Sequence, residues 1–176
     1  IYAVIGIEKN SEKRAMLAKG KSYINDISDE EVQQAIAKGF ECTDDPARLK
    51  DADIILICVP TPIDEHKVPD LSPVREAAEM IVPNLKRVHM VILESTVYPG
   101  CTEEFLGPIL ESSGLKAGED FYLVFSPERV DPNNANYPIT KIPKVVGGLT
   151  PEATDLAAAF YALFTPPPFK ASSPKV

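Results

Sequence analysis

The sequence predicts an α/β fold with a doubly wound, mainly parallel β-sheet between two layers of helices. Short apolar runs alternate with segments of helical periodicity along the chain, which is typical of repeated β-α units. Two of the runs, ADIILICVP (52–60) and HMVILEST (89–96), are apolar at consecutive positions. Strands with both faces buried have this pattern, and parallel sheets covered on both sides contain such strands.

The first elements are a strand, two helices and a second strand. Ser28 and Glu31 form an S-x-x-E capping box at the start of the second helix, and Gly39 is a suitable glycine for its end. In order, the predicted elements are strand 1–7, helix 11–19, helix 28–38, strand 40–43 and a helical turn at 45–51.

Strands and helices continue to alternate from residue 52 onwards. The first of these strands ends at Pro60 and Pro62, because proline cannot donate to a sheet ladder. TPPP (165–168) begins an extended segment. The predicted order is strand 52–60, helix 71–86, strand 89–96, helix 101–113, strand 121–126, strand 144–148 and helix 151–164.

Composition excludes several classes of function. A net charge of −8 opposes binding to nucleic-acid phosphates, which needs clustered Lys and Arg. No apolar run approaches the roughly 20 residues of a membrane span. Cys42, Cys58 and Cys101 lack metal-ligand spacing, so we expect reduced thiols in a cytoplasmic protein. We expect no metal site at DEH (64–66), where adjacent side chains point in different directions.

Ligands bind at the carboxyl ends of the strands in an open parallel sheet, so the residues that follow each strand are candidate site residues. Glu8 follows the first strand. An acid there either accepts hydrogen bonds from a ribose diol, as in NAD-binding folds, or stabilises the start of the next helix. Val59, Pro60 and Thr61 follow a later strand, and the prolines either hold Thr61 for a cofactor contact or form an ordinary loop.

The two following strands end in further polar residues. Ser95 and Thr96 offer two hydroxyls, and the helix after them has free amides that either face a phosphate or are capped by Thr102. Glu128 and Arg129 come next. The carboxylate of Glu128 either acts as a base or orients a water, or it forms a surface salt bridge.

The cysteines near these strand ends have simpler interpretations. Cys58 is predicted to pack within its buried strand. Cys101 stands at a helix start, where the helix dipole can lower its pKa.

Five segments in this order resemble the UDP-glucose/GDP-mannose dehydrogenases. They are VIGIEKNSEKRAMLAKGKSYI, ICVPTPIDEHKVPDLS, VILESTVYPGCTEE, FYLVFSPERVDPNN and IPKVVGG, and the resemblance runs from about Val4 to the last residue. SPERVDP and KVVGG replace the NPEFL pattern of typical UDP-glucose enzymes. They favour the branch acting on UDP-N-acetyl-hexosamines, namely UDP-N-acetyl-D-mannosamine or UDP-N-acetyl-glucosamine 6-dehydrogenases.

The resemblance implies roles for the residues at the strand ends. Enzymes of this family oxidise a sugar C6 alcohol to a carboxylate with two NAD+. The resemblance implies that Thr96 and Glu128 hold the catalytic water, that Glu128 assists hydrolysis of a thioester intermediate, and that Glu128 and Arg129 lie on the substrate side. It implies NAD contacts by Glu8 (at the adenosine ribose), Lys13, Val59, Pro60, Thr61, Ser95 and Thr96.

The chain also departs from the family pattern, which begins with a glycine-rich G-x-G-x-x-G loop. Here the segment VIGIE resembles the second strand of the family, so we expect a Rossmann-like fold that lacks the first glycine-rich βα unit and has an incomplete pyrophosphate site. The chain starts at Ile1 rather than Met, and we expect it to be part of a longer polypeptide.

The resemblance also implies a domain organisation. Residues 1–164 would form an incomplete NAD-binding Rossmann-like domain, and residues 165–176 an extended segment leading to a central helix and a UDP-binding domain. The family's catalytic Cys, Lys and Asn lie on those later segments, so the UDP-sugar site would be completed there, in an enzyme that is a homodimer or larger.

Two alternatives remain open at this point: a UDP-glucose 6-dehydrogenase, or a non-catalytic Rossmann-like nucleotide-binding module. The missing glycines favour the module. Thr96 and Glu128 argue against it, because a protein that only binds a nucleotide has no use for a hydrolytic water.

Overall fold

The computed structural model describes residues 3–63, 69–129 and 139–175, and the chain divides into two compact units, Ile1–Arg48 and Leu49–Val176. No helix among the described residues is long and apolar enough to cross a membrane. Segments DEH (64–66) and DPNN (131–134) lie outside the described residues.

The N-terminal unit is a two-stranded parallel sheet, and two helices connect its strands along the chain. Its elements are β1 (Val4–Ile7), α1 (Ser11–Ala18), α2 (Asp29–Ala37) and β2 (Phe40–Thr43), followed by a 3-10 turn (Pro46–Asp51). The predicted capping box at α2 is confirmed, since the Ser28 hydroxyl accepts from the Glu31 amide and Glu31 accepts from the Ser28 amide. Gly39 follows the helix with a φ of 99°, a conformation that glycine adopts without strain.

The C-terminal unit contains a five-stranded sheet in the order β3-β4-β5-β6-β7. Strands β3, β4 and β5 are parallel, β6 is antiparallel to β5, and β7 is parallel to β6. The strands are β3 (Ile54–Ile57), β4 (Met90–Leu93), β5 (Tyr122–Phe125), β6 (Val145–Gly148) and β7 (Phe169–Lys170). The helices are α3 (Ser72–Ile81), α4 (Gly107–Glu111), which a π-helical turn (Thr102–Leu106) precedes, and α5 (Pro151–Tyr161).

Strand β4 confirms the prediction of a doubly wound sheet. All four of its side chains are buried. Val91 and Leu93 belong to one hydrophobic cluster, with residues of α3 and α4, whereas Met90 and Ile92 belong to a second cluster, with residues of α5. Alternate side chains of one strand therefore enter two cores, which is why the run is apolar at every position.

Three details differ from the sequence prediction. Strand β3 is buried on one face only, since Ile55 and Ile57 are buried whereas Leu56 is 43% exposed. The strands are shorter than the apolar runs, and Cys58 follows β3 instead of lying within it, so its side chain is exposed. Beyond α5, residues Phe169–Lys170 form strand β7, which pairs with β6.

Candidate functional site

The carboxyl ends of β3 and β4 and the segment after β5 line a cleft of about 380 Å³, here called the strand-end cleft. Because these three strands are parallel, their carboxyl ends lie at one edge of the sheet. The lining residues are Cys58, Val59, Pro60, Thr61, Glu94, Ser95, Thr96 and Glu128. The structure therefore brings together six residues that the sequence singled out: Val59, Pro60, Thr61, Ser95, Thr96 and Glu128.

Ser95 connects two of the strand ends. Its buried hydroxyl donates to the carbonyl of Val59 at 2.7 Å, and its amide donates to the carbonyl of Ile57 at 3.3 Å. The side chain thereby fixes the loop after β3 against the end of β4. Thr96, the next residue, is exposed at the cleft.

A buried cation lies beside this cleft. Lys144 stands directly before β6 and is only 2% exposed. Its Nζ lies 3.4 Å from Oε2 of Glu94 and 3.4 Å from the carbonyl of Pro127. The same Nζ is 3.9 Å from Oε2 of Glu128 and 5.2 Å from the centre of the Tyr161 ring. The hydroxyl of Tyr161 donates to Oε1 of Glu94, so both oxygens of Glu94 are held.

Burial and these charges raise the pKa values of two neighbouring side chains, Tyr161 and Cys58. Burial, followed by the negative charge of Glu94, raises the pKa of Tyr161, so its phenol remains a donor at neutral pH. Although Cys58 is exposed at the cleft, the surrounding protein desolvates its thiol in part and raises the pKa to about 11, with a further increase from Glu94 and an opposing effect of Lys144. Cys58 is therefore a protonated thiol at neutral pH and a poor nucleophile.

Both carboxylate oxygens of Glu128 lie close to a neighbouring group. Oε1 accepts a hydrogen bond of 2.6 Å from the amide of Arg129, and Oε2 faces Lys144. The side chain is 40% exposed, so it remains accessible from the cleft. Arg129 itself is exposed and is not among the described residues that line the cleft.

Glu8 lies in the N-terminal unit, directly after β1. Its Oε1 accepts from the amide of Asn10 at 2.8 Å, and its Oε2 lies 3.9 Å from Nζ of Lys13. Lys13 also lies 4.9 Å from the centre of the Tyr23 ring. The arrangement combines an oriented carboxylate, a cation and an aromatic ring, which suits a ribose with its attached base.

The start of α1 offers no phosphate cradle of the glycine-rich kind. The side chain of Asn10 caps the helix and accepts from the amides of Glu12 and Lys13 at 2.9 and 3.1 Å. These amides are the donors that a pyrophosphate would need at a helix start.

The helix start after β4 lacks the cap by Thr102 that is one of its two sequence interpretations. Thr102 is buried, and no side chain caps this helix. The amides of Glu103 and Glu104 donate to the carbonyl of Gly100. Cys101 is fully buried, and burial raises the pKa of its thiol, which opposes the lowering expected from the helix dipole.

Sequence reasoning missed Lys144 and Tyr161 as residues next to the site. A signal existed for each: Lys144 directly precedes an apolar strand, and Tyr161 is a polar aromatic on an alanine-rich helix. Neither signal identifies a partner, because Lys144 and Tyr161 reach Glu94 across 50 and 67 residues of sequence.

Comparison with known proteins gives a consistent result. The model of the UDP-glucose/GDP-mannose dehydrogenase family, NAD binding domain, matches residues 2–165. A UDP-N-acetyl-D-glucosamine 6-dehydrogenase from Pseudomonas aeruginosa is 41% identical over 175 residues, which cover 98% of this chain and 41% of that protein.

Solved structures agree with the sequence comparison. The structure of a UDP-D-ManNAc dehydrogenase from Pyrococcus horikoshii superposes with a TM-score of 0.90 at 30% identity, covering 98% of this chain and 42% of that one. A ternary complex of GDP-mannose dehydrogenase from Pseudomonas aeruginosa superposes with a TM-score of 0.86 at 27% identity, covering 99% and 42%.

The chain spans about two fifths of the length of these relatives. The Rossmann-like fold and the family resemblance inferred from the sequence motifs are both confirmed. Because the family model matches most of the chain, the protein belongs to the UDP-glucose/GDP-mannose dehydrogenase family and carries its NAD-binding domain.

Proposed function

We propose that this chain is the NAD-binding portion of a nucleotide-sugar 6-dehydrogenase that oxidises the C6 alcohol of a UDP-N-acetyl-hexosamine to a carboxylate with two NAD+. The observation that carries the proposal is the convergence of Thr96 and Glu128 at one cleft, beside the predicted cofactor residues 59–61. Relatives that act on UDP-N-acetyl-hexosamines, by their names, support the choice of substrate class.

The residues present fit two parts of NAD+. In the N-terminal unit, Glu8 is oriented by a backbone amide and is partly exposed, so it has acceptor capacity left for the hydroxyls of the adenosine ribose, with Lys13 beside it. In the C-terminal unit, Val59, Pro60, Thr61, Ser95 and Thr96 offer apolar and polar lining for a further part of the cofactor. These residues would hold NAD+, which would supply the hydride acceptor for oxidation at C6.

The pyrophosphate of NAD+ has no matching group at α1. The first amides of α1 already donate to the side chain of Asn10. This agrees with the family resemblance, in which β1 corresponds to the second strand and the glycine-rich loop follows the first strand. We therefore propose that the chain alone binds NAD+ weakly and does not catalyse oxidation of the nucleotide sugar.

The chain itself would contribute the residues that hold and deprotonate the hydrolytic water. We propose that Glu128 accepts a proton from a water held between Thr96 and Glu128, which assists hydrolysis of the thioester intermediate that the family resemblance implies. Glu128 is suited to this role because its carboxylate is accessible from the cleft and held at both oxygens. Arg129 is proposed as a contact on the substrate side.

The remaining parts of the proposal concern the whole protein. Residues 1–164 form the NAD-binding portion, residues 165–176 lead to later segments that supply the nucleophile and complete the UDP-sugar site, and the complete enzyme is a homodimer or larger. All three cysteines are free thiols, which persist in a reducing compartment, so a cytoplasmic location is part of the proposal.

The test is turnover by the complete enzyme that contains this chain. With UDP-N-acetyl-mannosamine or UDP-N-acetyl-glucosamine as substrate, we expect two NADH per sugar and a uronic acid product. Glu128→Gln removes the base and should lower kcat by at least about 100-fold, the usual contribution of a general base. Turnover of UDP-glucose alone would reassign the substrate, and NAD+ binding without turnover of any of the three would favour a non-catalytic module.

A titration of NAD+ into the 176-residue chain tests the second part of the proposal. Tight binding by this chain would contradict the view that its pyrophosphate site is incomplete.

A further inference from the structure

Lys144 is unusual among the lysines that the structure describes because its ammonium is withdrawn from solvent. A buried ammonium is unfavourable unless charges and hydrogen-bond acceptors surround it. Lys144 has both: the carboxylate of Glu94, the carbonyl of Pro127 and the face of Tyr161. These contacts fix the cation from three sides at the carboxyl ends of β4 and β5.

The fourth neighbour of Lys144 is Glu128, which lines the cleft. Its Oε2 is 3.9 Å from the Nζ of Lys144, while its Oε1 is bonded to the amide of Arg129. Glu128 is 40% exposed, and holding an exposed Glu side chain in one rotamer costs conformational entropy that its contacts must offset. A fixed cation on one oxygen and a backbone amide on the other restrict the carboxylate to one orientation.

We propose that Lys144 is a positioning residue of the strand-end cleft: Glu94 and Tyr161 hold its ammonium, and the ammonium orients the carboxylate of Glu128 toward the cleft. The inference rests on the proposed function for the role of Glu128. It adds a second layer to the site, in which Glu94 and Tyr161 act on Glu128 through the cation.

The main competing account is that Lys144 and Glu94 are only a structural ion pair. Lys144→Met removes the cation and leaves the largely buried carboxylate of Glu94 without its counter-charge, so the variant would lose stability under either account. The double variant Lys144→Met with Glu94→Gln removes both charges, and the amide oxygen of the introduced glutamine can still accept from the Tyr161 hydroxyl. A structural pair predicts that this double variant recovers both stability and turnover, whereas a positioning role predicts recovery of stability alone.

A double-mutant cycle in the complete enzyme gives the decisive measurement. Glu128→Gln and Lys144→Met are each expected to lower kcat, and the combination is expected to lower it no further than Glu128→Gln alone. Lys144→Arg, which keeps the charge, should restore part of kcat. Lys170→Met is the matched control: Lys170 is an exposed lysine on β7, paired with Asp155, and its loss should leave kcat unchanged.

The outcomes of the cycle separate the two proposals. Losses that multiply in the combined variant would overturn the positioning role while leaving the function of Glu128 intact. An unchanged kcat in Glu128→Gln would overturn the proposed function, and this inference with it.

A second measurement needs neither substrate nor cofactor. Cys58 lines the same cleft and senses Glu94, Lys144 and Glu128. Its rate of alkylation by neutral iodoacetamide, read from the Cys58 peptide by mass spectrometry, reports the thiolate fraction. At a fixed alkaline pH, Lys144→Met should lower this rate by up to about tenfold, the effect of one pKa unit. Glu94→Gln should raise it, and Lys170→Met should not change it; an unchanged rate in Lys144→Met would overturn the placement of the cation at the cleft.

Discussion

The two units of the chain use similar apolar strands in different ways. In the C-terminal unit, every side chain of β4 is buried. In the N-terminal unit, β1 has the sequence VIGI, yet Val4 is 53% exposed and the rest of the strand is half-buried. Among the described residues 3–48, Val32 is the only buried apolar side chain.

The difference shows that an apolar run predicts a strand but not its burial. Strand β4 lies between two other strands and contributes to two hydrophobic clusters, whereas β1 pairs with β2 alone among the described residues. Since the hydrophobic contribution scales with the apolar area removed from water, the C-terminal unit should be the more stable of the two.

The largest expected effect separates the two strands directly. Leu93→Ala removes a fully buried side chain from β4 and should lower the free energy of unfolding by about 2–5 kcal/mol. Val4→Ala, the matched change in β1, should cost less than about 1 kcal/mol, because the side chain is largely exposed. Urea denaturation of both variants measures the contrast, and equal losses would contradict it.

Glycine substitutions provide a second contrast of intermediate size. A Cβ at Gly148 would lie 2.5 Å from the amide nitrogen of Thr154 and 2.6 Å from Cβ of Ala153, so β6 and α5 must separate in Gly148→Ala. We expect a loss of about 1–3 kcal/mol, as for other overpacked sites. At Gly6 in β1 the nearest atoms are those of the Phe40 ring at 3.4 Å, so Gly6→Ala should change stability by less than about 0.5 kcal/mol.

The capping box of α2 tests the N-terminal unit by itself. Ser28→Ala removes the hydroxyl that accepts from the Glu31 amide and should cost about 1 kcal/mol. Ser28→Asp preserves an N-cap acceptor and should retain most of the stability. Faster amide exchange in α2 of Ser28→Ala, with unchanged exchange in β4, is the expected result; an equal acceleration in β4 would mean that the units unfold together.

Lowering the pH should decrease the free energy of unfolding of the two units in different pH ranges. We expect this to be the smallest of the effects on stability. Burial, followed by the positive charge of Lys86, lowers the pKa of His89 in the C-terminal unit. The unfolded chain therefore binds the proton first, and stability that is present above the ordinary histidine pKa of about 6.5 is lost as pH falls below it.

In the N-terminal unit the relevant groups are carboxylates. A hydrogen bond from Lys21 lowers the pKa of Asp29, and one from the Ser28 amide lowers that of Glu31. Their contribution is present above about pH 4 and is lost below it. Urea midpoints measured against pH should show both declines, and His89→Asn should abolish only the one at higher pH.

The sequence predicts local features well because their causes are local. The capping box, Gly39 and the position of each strand depend on residues within a few positions of one another. The gathering of Thr61, Thr96 and Glu128 could also be predicted, because the carboxyl ends of parallel strands share one edge of a sheet. Their individual roles in binding and catalysis stay predictions.

The contacts of Lys144 could not be predicted in this way. They depend on β6 pairing antiparallel with β5, a reversal that the alternating pattern does not signal. The exposure of Cys58 was missed for a related reason: the apolar run continues past the last paired residue of β3, so hydrophobicity alone extends the strand too far.

Strand β7 has a practical consequence for anyone who expresses this domain. The family match ends at residue 165, a natural place to cut a gene for recombinant production. A cut there would remove Phe169 and Lys170 and leave the outer edge of β6 without its partner. Unpaired apolar strand edges recruit other chains, so we expect such a truncated product to aggregate, whereas one extended through Ser173 should remain monodisperse.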